Sequence, residues 1–315
     1  MNALILIRDA FVAAYPELIE ETEKLCTNVT VMKTDDGVRK EDLLKEAAAA
    51  DIIVVAVVKI DRDVIDAAKN LKYIIKFGAG YDNIDVAYAE EKGIIVSNAP
   101  GQNADSAADL AFGLMLASSR SISQKDAEVK ARLWNNTLGN EVHNKKLGIV
   151  GFGSIGQAIA KRANGFSMDV MAYGNYQNED AAAQLNVRFT DLDTLLTESD
   201  YVILSTSLTS INKHFINRDT LGRMKSSAFL INISRGGLIN EVDLVEALKS
   251  GGIRGAALDV FEVEPPQNEL SLLPNVIATP HIGGATYEAI VNISTITIDN
   301  IQRFIAEEEL LFVVH

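Results

Sequence analysis

Three residues whose side chains suit acid–base chemistry follow separate apolar runs in the second half of the chain. Arg235 follows FLINIS, Glu264 lies in DVFEVEPP and His281 lies in ATPHIGG. Arginine binds a carboxylate through two parallel hydrogen bonds, and histidine exchanges a proton near neutral pH. A carboxylate beside the histidine favours the imidazolium and orients the ring. The set suits hydride transfer to a carbonyl group that lies next to a carboxylate.

Each of the three residues also has an ordinary structural interpretation. Arg235 can cap a helix or pair with a surface acid, and Glu264 can be a solvated loop charge. His281, between Pro280 and a glycine pair, can be a structural histidine with satisfied hydrogen bonds. Their combination with a phosphate-binding turn favours the catalytic interpretation. The spacing of histidine, cysteine and acidic residues predicts no metal site.

The phosphate-binding turn lies at residues 147–156, which read LGIVGFGSIG. A buried strand is predicted to end at G-x-G-x-x-G, with glycines at 151, 153 and 156, and a helical pattern begins at once. The first glycine allows the tight turn, the second lets a pyrophosphate approach the backbone, and the third lets helix and strand pack closely. The amides at the helix N-terminus favour an anion. This context predicts a dinucleotide site.

The position that selects between NAD and NADP holds neither kind of expected residue. A dinucleotide fold commonly has Asp or Glu at the end of its second strand, where it binds the ribose hydroxyls. Here the strand DVMAY is followed by Gly174, and residues 175–178 read NYQN, with no basic side chain. The sequence therefore leaves NAD and NADP both open.

Short apolar runs alternate with helical patterns along the chain, which predicts βαβ units and parallel sheets buried on both faces. We therefore predict an α/β fold with two doubly wound parallel sheets. The predicted strands are 3–7, 29–32, 52–57, 73–77 and 94–97, then 147–150, 169–173, 187–189, 201–204, 228–231, 256–258 and 276–278. Residues 104–120 predict a helix that is buried on several sides. Residues 286–309 predict a last helix with an apolar face at Ile290, Ile293 and Ile301.

Bulk composition narrows the function classes. A chain of 315 residues favours two domains. A formal net charge of −14 argues against nonspecific binding to nucleic acid or to an anionic membrane. Cys26 is the only cysteine, so the fold needs no disulfide. The short apolar run at the N-terminus predicts neither a signal peptide nor a membrane span, and a cytoplasmic location is expected.

Six segments together resemble the D-isomer-specific 2-hydroxyacid dehydrogenases, a family that includes phosphoglycerate, hydroxypyruvate/glyoxylate and D-lactate dehydrogenases. These segments are FGAGYDNID (77–85), SNAPGQNADSAADLAFGLML (97–116), KKLGIVGFGSIGQAIAKRA (145–163), INISRGGLIN (231–240), ALDVFEVEPP (257–266) and TPHIGGAT (279–286). The resemblance implies a flavodoxin-like substrate domain at 1–98 plus 285–315. It implies a Rossmann dinucleotide-binding domain at 99–284, and a homodimer.

The resemblance also implies residue roles. Arg235 binds the substrate carboxylate and carbonyl, His281 is the acid–base residue, Glu264 is its partner, and these three form the catalytic set. Asp259 contacts the nicotinamide carboxamide. The implied substrate-binding residues are Val58, Ala79, Gly80, Arg235 and His281. The implied cofactor-binding residues are Gly151, Gly153, Ser154, Ile155, Gly156, Gly174, Ser205, Thr206, Ser207, Ile233, Asp259, His281 and Gly283.

The sequence departs from the family pattern at informative places. Ser205–Ser207 replaces a common His-x-Pro near the cofactor, and Asp109 stands where many members have Glu. Phosphoglycerate dehydrogenases commonly have Arg-Ser for a phosphate where this chain has Val55 and Ala56, and the nearest cation along the chain is Lys59. The absence of Arg-Ser at this position argues against a phosphorylated substrate, and an uncharged wall is expected at 55–58.

The sequence therefore predicts an NAD- or NADP-dependent D-2-hydroxyacid dehydrogenase. Its expected substrate is glyoxylate, hydroxypyruvate or a larger apolar 2-oxo acid. Phosphoglycerate oxidation is the alternative within the same class. A dinucleotide-sensing protein, like the corepressor branch of the family, is the alternative from another class. The chain lacks long tails and a basic surface for DNA, which argues against that second alternative.

Overall fold

The computed structural model describes residues 1–314, so His315, which the predicted first domain includes, lies outside the described residues. The chain forms two compact units. The first unit is Met1–Asn103 with the described part of Gly284–His315, and the second is Ala104–Gly283.

Each unit contains one parallel sheet, as the sequence predicts. The strands of the first unit are β1 (Asn2–Ile7), β2 (Asn28–Lys33), β3 (Ile52–Val55), β4 (Tyr73–Lys76) and β5 (Ile95–Ser97). Those of the second unit are β6 (Lys146–Val150), β7 (Asp169–Tyr173), β8 (Val187–Phe189), β9 (Tyr201–Leu204), β10 (Phe229–Asn232), β11 (Gly255–Leu258) and β12 (Val276–Ala278). Both strand orders are doubly wound: β2-β1-β3-β4-β5, and β12-β11-β10-β9-β6-β7-β8.

Helices connect the strands. They are α1 (Asp9–Ala14), α2 (Glu17–Leu25), α3 (Lys40–Ala47), α4 (Arg62–Ala67), α5 (Val86–Glu91), α6 (Ala104–Arg120), α7 (Ile122–Lys130), α8 (Ser154–Gly165), α9 (Glu179–Gln184), α10 (Leu192–Glu198), α11 (Arg218–Leu221), α12 (Glu241–Ser250) and α13 (Tyr287–Ile305). Short 3-10 turns follow at Gly236–Leu238 and Glu269–Leu272. Within the described residues, no helix is long and apolar enough to cross a bilayer.

Burial explains why the central strands are continuous apolar runs. All residues of β3, β4, β9 and β10 are buried, because helices cover both faces of each sheet. The predicted strand 52–57 ends earlier, at Val55. Ala56 and Val57 remain apolar but lie beyond the strand, although the Ala56 amide still donates to the Leu6 carbonyl of β1 at 3.0 Å. Composition alone therefore misplaces the end of β3.

The two helices singled out from the sequence form where expected. The long helix α6 is buried along several faces, including Ala108, Ala111 and Met115. Helix α13 begins after Thr286, whose hydroxyl accepts a hydrogen bond from the Ala289 amide at 3.2 Å. It buries Ile290, Ile293 and Ile301 in the core of the first unit. It ends four residues before the predicted Glu309, close to Glu307, which has a left-handed backbone (φ +57°).

Candidate active site

The predicted catalytic and cofactor residues of the second unit follow one edge of its sheet. Gly151 follows β6, Gly174 follows β7, and Ser205–Ser207 follow β9. The segments after β10, β11 and β12 carry the remaining predicted residues: Ile233 and Arg235, then Asp259 and Glu264, then His281 and Gly283. Because all seven strands are parallel, these segments leave the same edge, where ligands of open α/β sheets bind.

The glycine turn has the close packing that its sequence predicts. Gly151 has a left-handed backbone (φ +100°), and a Cβ there would lie 2.8 Å from the Ser205 carbonyl carbon. A Cβ at Gly156 would lie 2.2 Å from the Gly151 carbonyl oxygen. Both positions therefore exclude any larger residue.

Gly153 differs from the other two glycines of the turn, because a Cβ there would meet nothing within 4 Å. This glycine is the N-cap of α8, whose first-turn amides belong to Ser154, Ile155 and Gly156. The backbone is therefore open at the start of this twelve-residue helix. A side chain at Gly153 would fill this space, which suits a pyrophosphate at the helix N-terminus. The residues present therefore fit a dinucleotide.

The ends of β7 and β9 border this cradle. A Cβ at Gly174 would lie 3.7 Å from the Gly151 Cα, an ordinary contact, so no steric demand requires glycine there. The Ser205 hydroxyl donates to the Gly151 carbonyl at 2.7 Å, which ties β9 to the turn. The Thr206 carbonyl accepts a hydrogen bond from the Ser234 hydroxyl. The Ser207 carbonyl accepts one from the Asn212 side chain at 2.8 Å.

A buried asparagine shapes the turn that presents Arg235. Asn232 has no exposed surface. Its side-chain amide donates to the Arg235 carbonyl at 2.9 Å, and its side-chain oxygen accepts from the Ser234 amide at 3.1 Å. Arg235 itself donates from Nη1 to the Ser234 carbonyl at 2.8 Å. The sequence signal for this role is the asparagine within the otherwise apolar strand FLIN.

Asp259 is almost fully buried (1% exposed) and organises the segment after β12. Its carboxylate accepts hydrogen bonds from the Thr279 hydroxyl at 2.6 Å, the Ile282 amide at 2.9 Å and the Gly283 amide at 2.8 Å. The His281 amide also donates to the Asp259 carbonyl at 2.9 Å. Asp259 therefore holds the backbone on both sides of His281.

Glu264 and His281 form a direct pair. The distance from His281 Nδ1 to Glu264 Oε2 is 2.8 Å, and both side chains are about one third exposed. An ionised carboxylate only accepts hydrogen bonds, so Nδ1 carries the proton. This pairing leaves Nε2 as the ring atom that can exchange a proton with a ligand. The His281 backbone is left-handed (φ +54°), an uncommon conformation for a residue with a side chain.

The pKa of the Glu264 carboxyl lies below its ordinary value. Burial raises this pKa, but the hydrogen bond and charge of His281, the Phe261 amide and the charge of Arg235 together lower it more. The Phe261 amide donates to Glu264 Oε1 at 3.3 Å. Glu264 is therefore ionised at neutral pH, and the field of Arg235 reaches it. The three predicted catalytic side chains thus lie in one electrostatic neighbourhood.

The remaining predicted substrate residues lie in the first unit, after β3 and β4. Val58 is half-buried, and its carbonyl accepts from the Asn83 side chain at 2.7 Å. Ala79 and Gly80 are also half-buried, and the Ala79 carbonyl accepts from the Asn98 side chain at 2.6 Å. These residues therefore belong to loops that are held by asparagine side chains.

The expected uncharged wall at 55–58 needs correction. Val55 and Ala56 are buried (0% and 4% exposed), so only Val57 and Val58 reach the surface. Lys76 is a second cation beside this segment, in addition to the exposed Lys59. The Lys76 ammonium donates to the Ala56 carbonyl, and it donates to Asn83 Oδ1 at 2.8 Å. Distance along the chain misses this contact because β3 and β4 are neighbours in the sheet.

Two other histidines among the described residues have different surroundings. His143 is exposed, and His214 Nε2 lies 3.2 Å from Glu262 Oε1 without hydrogen-bonding geometry. In the part of the chain that the structure describes, no cluster of three or more histidine, cysteine or acidic residues is arranged to hold a metal ion.

Comparison with known proteins places this geometry in a family context. Residues 112–283 match the family model described as D-isomer specific 2-hydroxyacid dehydrogenase, NAD binding domain. The hydroxypyruvate reductase of Thermotoga maritima is 44% identical over 277 residues, which cover 86% of this chain and 90% of that protein.

Two further relatives differ in length and in the activity for which they are named. The D-3-phosphoglycerate dehydrogenase of Methanocaldococcus jannaschii is 43% identical over 92% of this chain, which spans only 56% of that longer protein. The crystal structure of a glyoxylate reductase from Paecilomyes thermophila superposes with a TM-score of 0.88 at 31% identity. That alignment covers 99% of this chain and 98% of the other.

Proposed function

The chain belongs to the D-isomer-specific 2-hydroxyacid dehydrogenase family, and we propose that it reduces a small, unphosphorylated 2-oxo acid such as glyoxylate or hydroxypyruvate. It is an oxidoreductase that depends on NAD or NADP. The observation that carries the proposal is the 2.8 Å pair of His281 and Glu264, within the field of Arg235 and at the same sheet edge as the glycine turn.

In the proposed reaction, each side chain has one task. Arg235 binds the substrate carboxylate with its planar guanidinium and polarises the carbonyl. His281 donates a proton from Nε2 to the oxygen of the forming alkoxide. Glu264 holds the ring through Nδ1 and stabilises its positive charge before the transfer. In the reverse direction, the same atoms accept the proton from the hydroxyl group.

The dinucleotide is proposed to bind along the glycine turn, with its pyrophosphate at Gly153 and the first turn of α8. When bound, the nicotinamide supplies or accepts the hydride. The buried Asp259 and the segment it holds are proposed to position the carboxamide. We propose NADH as the preferred form, because residues 174–178 offer no basic side chain for a 2′-phosphate. The missing acid at Gly174 means that NADPH is not repelled there.

The substrate class is proposed from the first unit and from the relatives. Val57 and Val58 offer no charge for a phosphate, and the ammonium of Lys76 is engaged by Ala56 and Asn83. The hydroxypyruvate reductase and glyoxylate reductase relatives also favour an unphosphorylated oxo acid. The phosphoglycerate dehydrogenase relative keeps oxidation of a phosphorylated substrate as the alternative.

A homodimer is proposed from an apolar strip on the second unit. Val129, Leu133, Trp134 and Leu138 are 54%, 52%, 88% and 97% exposed within one short segment. Large exposed apolar groups of this kind mark interaction surfaces. Trp134→Glu combined with Leu138→Glu should convert the protein to a monomer in sedimentation velocity, and an unchanged sedimentation coefficient would contradict this interface. A cytoplasmic location stays a prediction.

The first test is the steady-state oxidation of NADH and NADPH against glyoxylate, hydroxypyruvate, pyruvate, branched 2-oxo acids and phosphohydroxypyruvate. Turnover with one unphosphorylated acid at least about tenfold above the phosphorylated acid is expected. The reverse ratio would establish the phosphoglycerate alternative. Silence across the whole panel, with tight dinucleotide binding intact, would favour a dinucleotide sensor over an enzyme.

A further inference from the structure

The loop that carries Glu264 is held by side chains rather than by backbone pairing. Within the described residues, the backbone of segment 260–266 makes no hydrogen bond to another backbone group. Two of its amides are bound by carboxylates instead. The Phe261 amide donates to Glu264 itself, and the Glu262 amide donates to Glu241 Oε1 at 2.7 Å.

Glu241 is a buried carboxylate at the first position of α12, with 7% of its surface exposed. Its second oxygen, Oε2, accepts a hydrogen bond from the Asn268 side chain, so Glu241 holds the loop at two points. Glu262 reciprocates, because its Oε1 accepts from the Glu241 amide at 3.2 Å. We call Glu241 and Glu262 the carboxylate–amide clamp. The N-terminus of a ten-residue helix favours their negative charge.

The clamp acts on the same peptide unit that touches the Arg235 turn. A Cβ at Gly236 would lie 1.9 Å from the Phe261 carbonyl carbon and 2.4 Å from the Glu262 nitrogen. The backbone directly after Arg235 is therefore in contact with the Phe261–Glu262 peptide, whose N–H group Glu241 holds. Moving that peptide changes the spacing between the Arg235 turn and Glu264, two residues further along.

We propose that Glu241 is a positioning residue for the reaction, because it holds the loop in the register that places Glu264 against His281. This inference rests on the proposed function for its kinetic consequence, but not for its structural one. The Glu241 carboxylate accepts hydrogen bonds from the Glu262 amide and the Asn268 side chain, so its effect passes through the loop that carries Glu264. A displacement of about 1 Å in a catalytic group can lower the rate by roughly 100-fold.

The test uses the full-length protein with Glu241→Ala, Glu241→Gln and a control. Glu241→Ala removes the acceptor for the Glu262 amide and should lower kcat by roughly 10- to 100-fold. The dinucleotide Kd should stay within about twofold, since the glycine turn is untouched. Glu241→Gln keeps an acceptor oxygen and should recover most of the kcat. Glu246→Gln, on the exposed side of the same helix, should match wild type.

Two further measurements separate positioning from mere stability. Hydrogen exchange of the peptide 259–268 should speed up in Glu241→Ala but not in Glu246→Gln, whether or not a substrate is known. In a Glu264→Gln background, Glu241→Ala should lower kcat by less than it does in wild type, because both changes act through the same pair. If Glu241→Ala does not fold, Glu241→Asp replaces it in the test. The aspartate keeps the negative charge, but its side chain is too short to bind the Glu262 amide.

Wild-type kcat in a folded Glu241→Ala or Glu241→Asp protein would overturn the inference, as would full additivity with Glu264→Gln. An inactive wild-type protein would instead count against the proposed function. In that event, unchanged exchange at 259–268 would still overturn the clamp, and faster exchange would support it.

Discussion

One edge of the sheet in the second unit has two halves that are built in different ways. The nucleotide half, at the ends of β6, β7 and β9, is built from glycines and backbone, and its central element is the open position at Gly153. The chemistry half, at the ends of β10, β11 and β12, contains the proposed catalytic residues Arg235, Glu264 and His281. Buried Asn232 and Asp259 hold the backbone near Arg235 and His281, and Glu264 pairs directly with His281. The first half offers backbone without side chains, whereas the second half holds side chains in fixed positions. Substitutions should therefore separate binding from turnover.

The largest expected separation comes from His281→Ala. Turnover should fall by about 10²–10⁴-fold, because the proton donor is lost, while the dinucleotide Kd should hardly change. Stopped-flow kinetics and fluorescence titration with NADH measure the two quantities. If dinucleotide affinity falls together with turnover, the two halves do not separate binding from chemistry. Wild-type turnover in this variant would remove His281 from the mechanism.

A matched pair of alanine substitutions tests the nucleotide half. Gly156→Ala forces a Cβ to 2.2 Å from the Gly151 carbonyl oxygen, and overpacking of this kind typically costs about 1–3 kcal/mol of folding free energy. Gly153→Ala meets nothing within 4 Å, so its melting temperature should match wild type.

Gly153→Ala should nevertheless raise the dinucleotide Kd by at least about tenfold, because the methyl group stands where the pyrophosphate approaches. Calorimetric melting and NADH titration check both variants. Unchanged affinity in Gly153→Ala would show that the pyrophosphate binds elsewhere.

A change in cofactor preference, with little change in folding, is expected from Gly174→Asp. The new Cβ makes only an ordinary contact, at 3.7 Å from the Gly151 Cα, so folding should be preserved. The carboxylate should bind the ribose hydroxyls of NAD and repel a 2′-phosphate. The ratio of kcat/KM for NADH over NADPH should rise by roughly 10- to 100-fold, and Gly174→Asn, which lacks the charge, is the control. An unchanged ratio would place the ribose away from this strand end.

The smallest effect concerns pH and stability in the chemistry half. Because the folded pKa of Glu264 lies below its unfolded value, its contribution to stability is present above about pH 4.5 and is lost as pH falls through the folded pKa. The side chain is more than one third exposed, so this contribution is at most about 0.5 kcal/mol. Wild type and Glu264→Gln should therefore differ in urea midpoint at pH 7, and the difference should shrink as pH falls below about 4.5. A constant difference would rule out this linkage.

The sequence predicted those parts of the molecule that depend on patterns within a short stretch of residues. The apolar strands, the two parallel sheets and the buried faces of α6 and α13 follow from periodicity and burial. The gathering of Arg235, Glu264 and His281 at one edge follows from the parallel direction of the strands. The glycine turn adds a spacing with a steric reason at Gly151 and Gly156 and an open position at Gly153.

Other features depend on contacts between residues that are distant along the chain. Nothing near Ala56 in the sequence indicates Lys76, because the register of β3 and β4 brings them together. Glu241 reads as an ordinary first-turn acid of a helix until the Glu262 amide is placed against it. The end of β3 was misplaced because an apolar run does not reveal where ladder hydrogen bonding stops. Short helices such as α11 contain too few turns to show a period.

The left-handed backbone of His281 has a consequence for protein engineering. Replacing a side-chain-bearing residue at such a position by glycine relieves backbone strain, because glycine adopts this conformation without steric cost. Ser121, Arg132 and Ser167 share the conformation, lie outside the chemistry half and are reasonable targets. The same screen would also select His281, where relief of backbone strain removes the proposed proton donor. A stabilised library of this chain will therefore accumulate inert, dinucleotide-binding variants unless activity is selected alongside heat resistance.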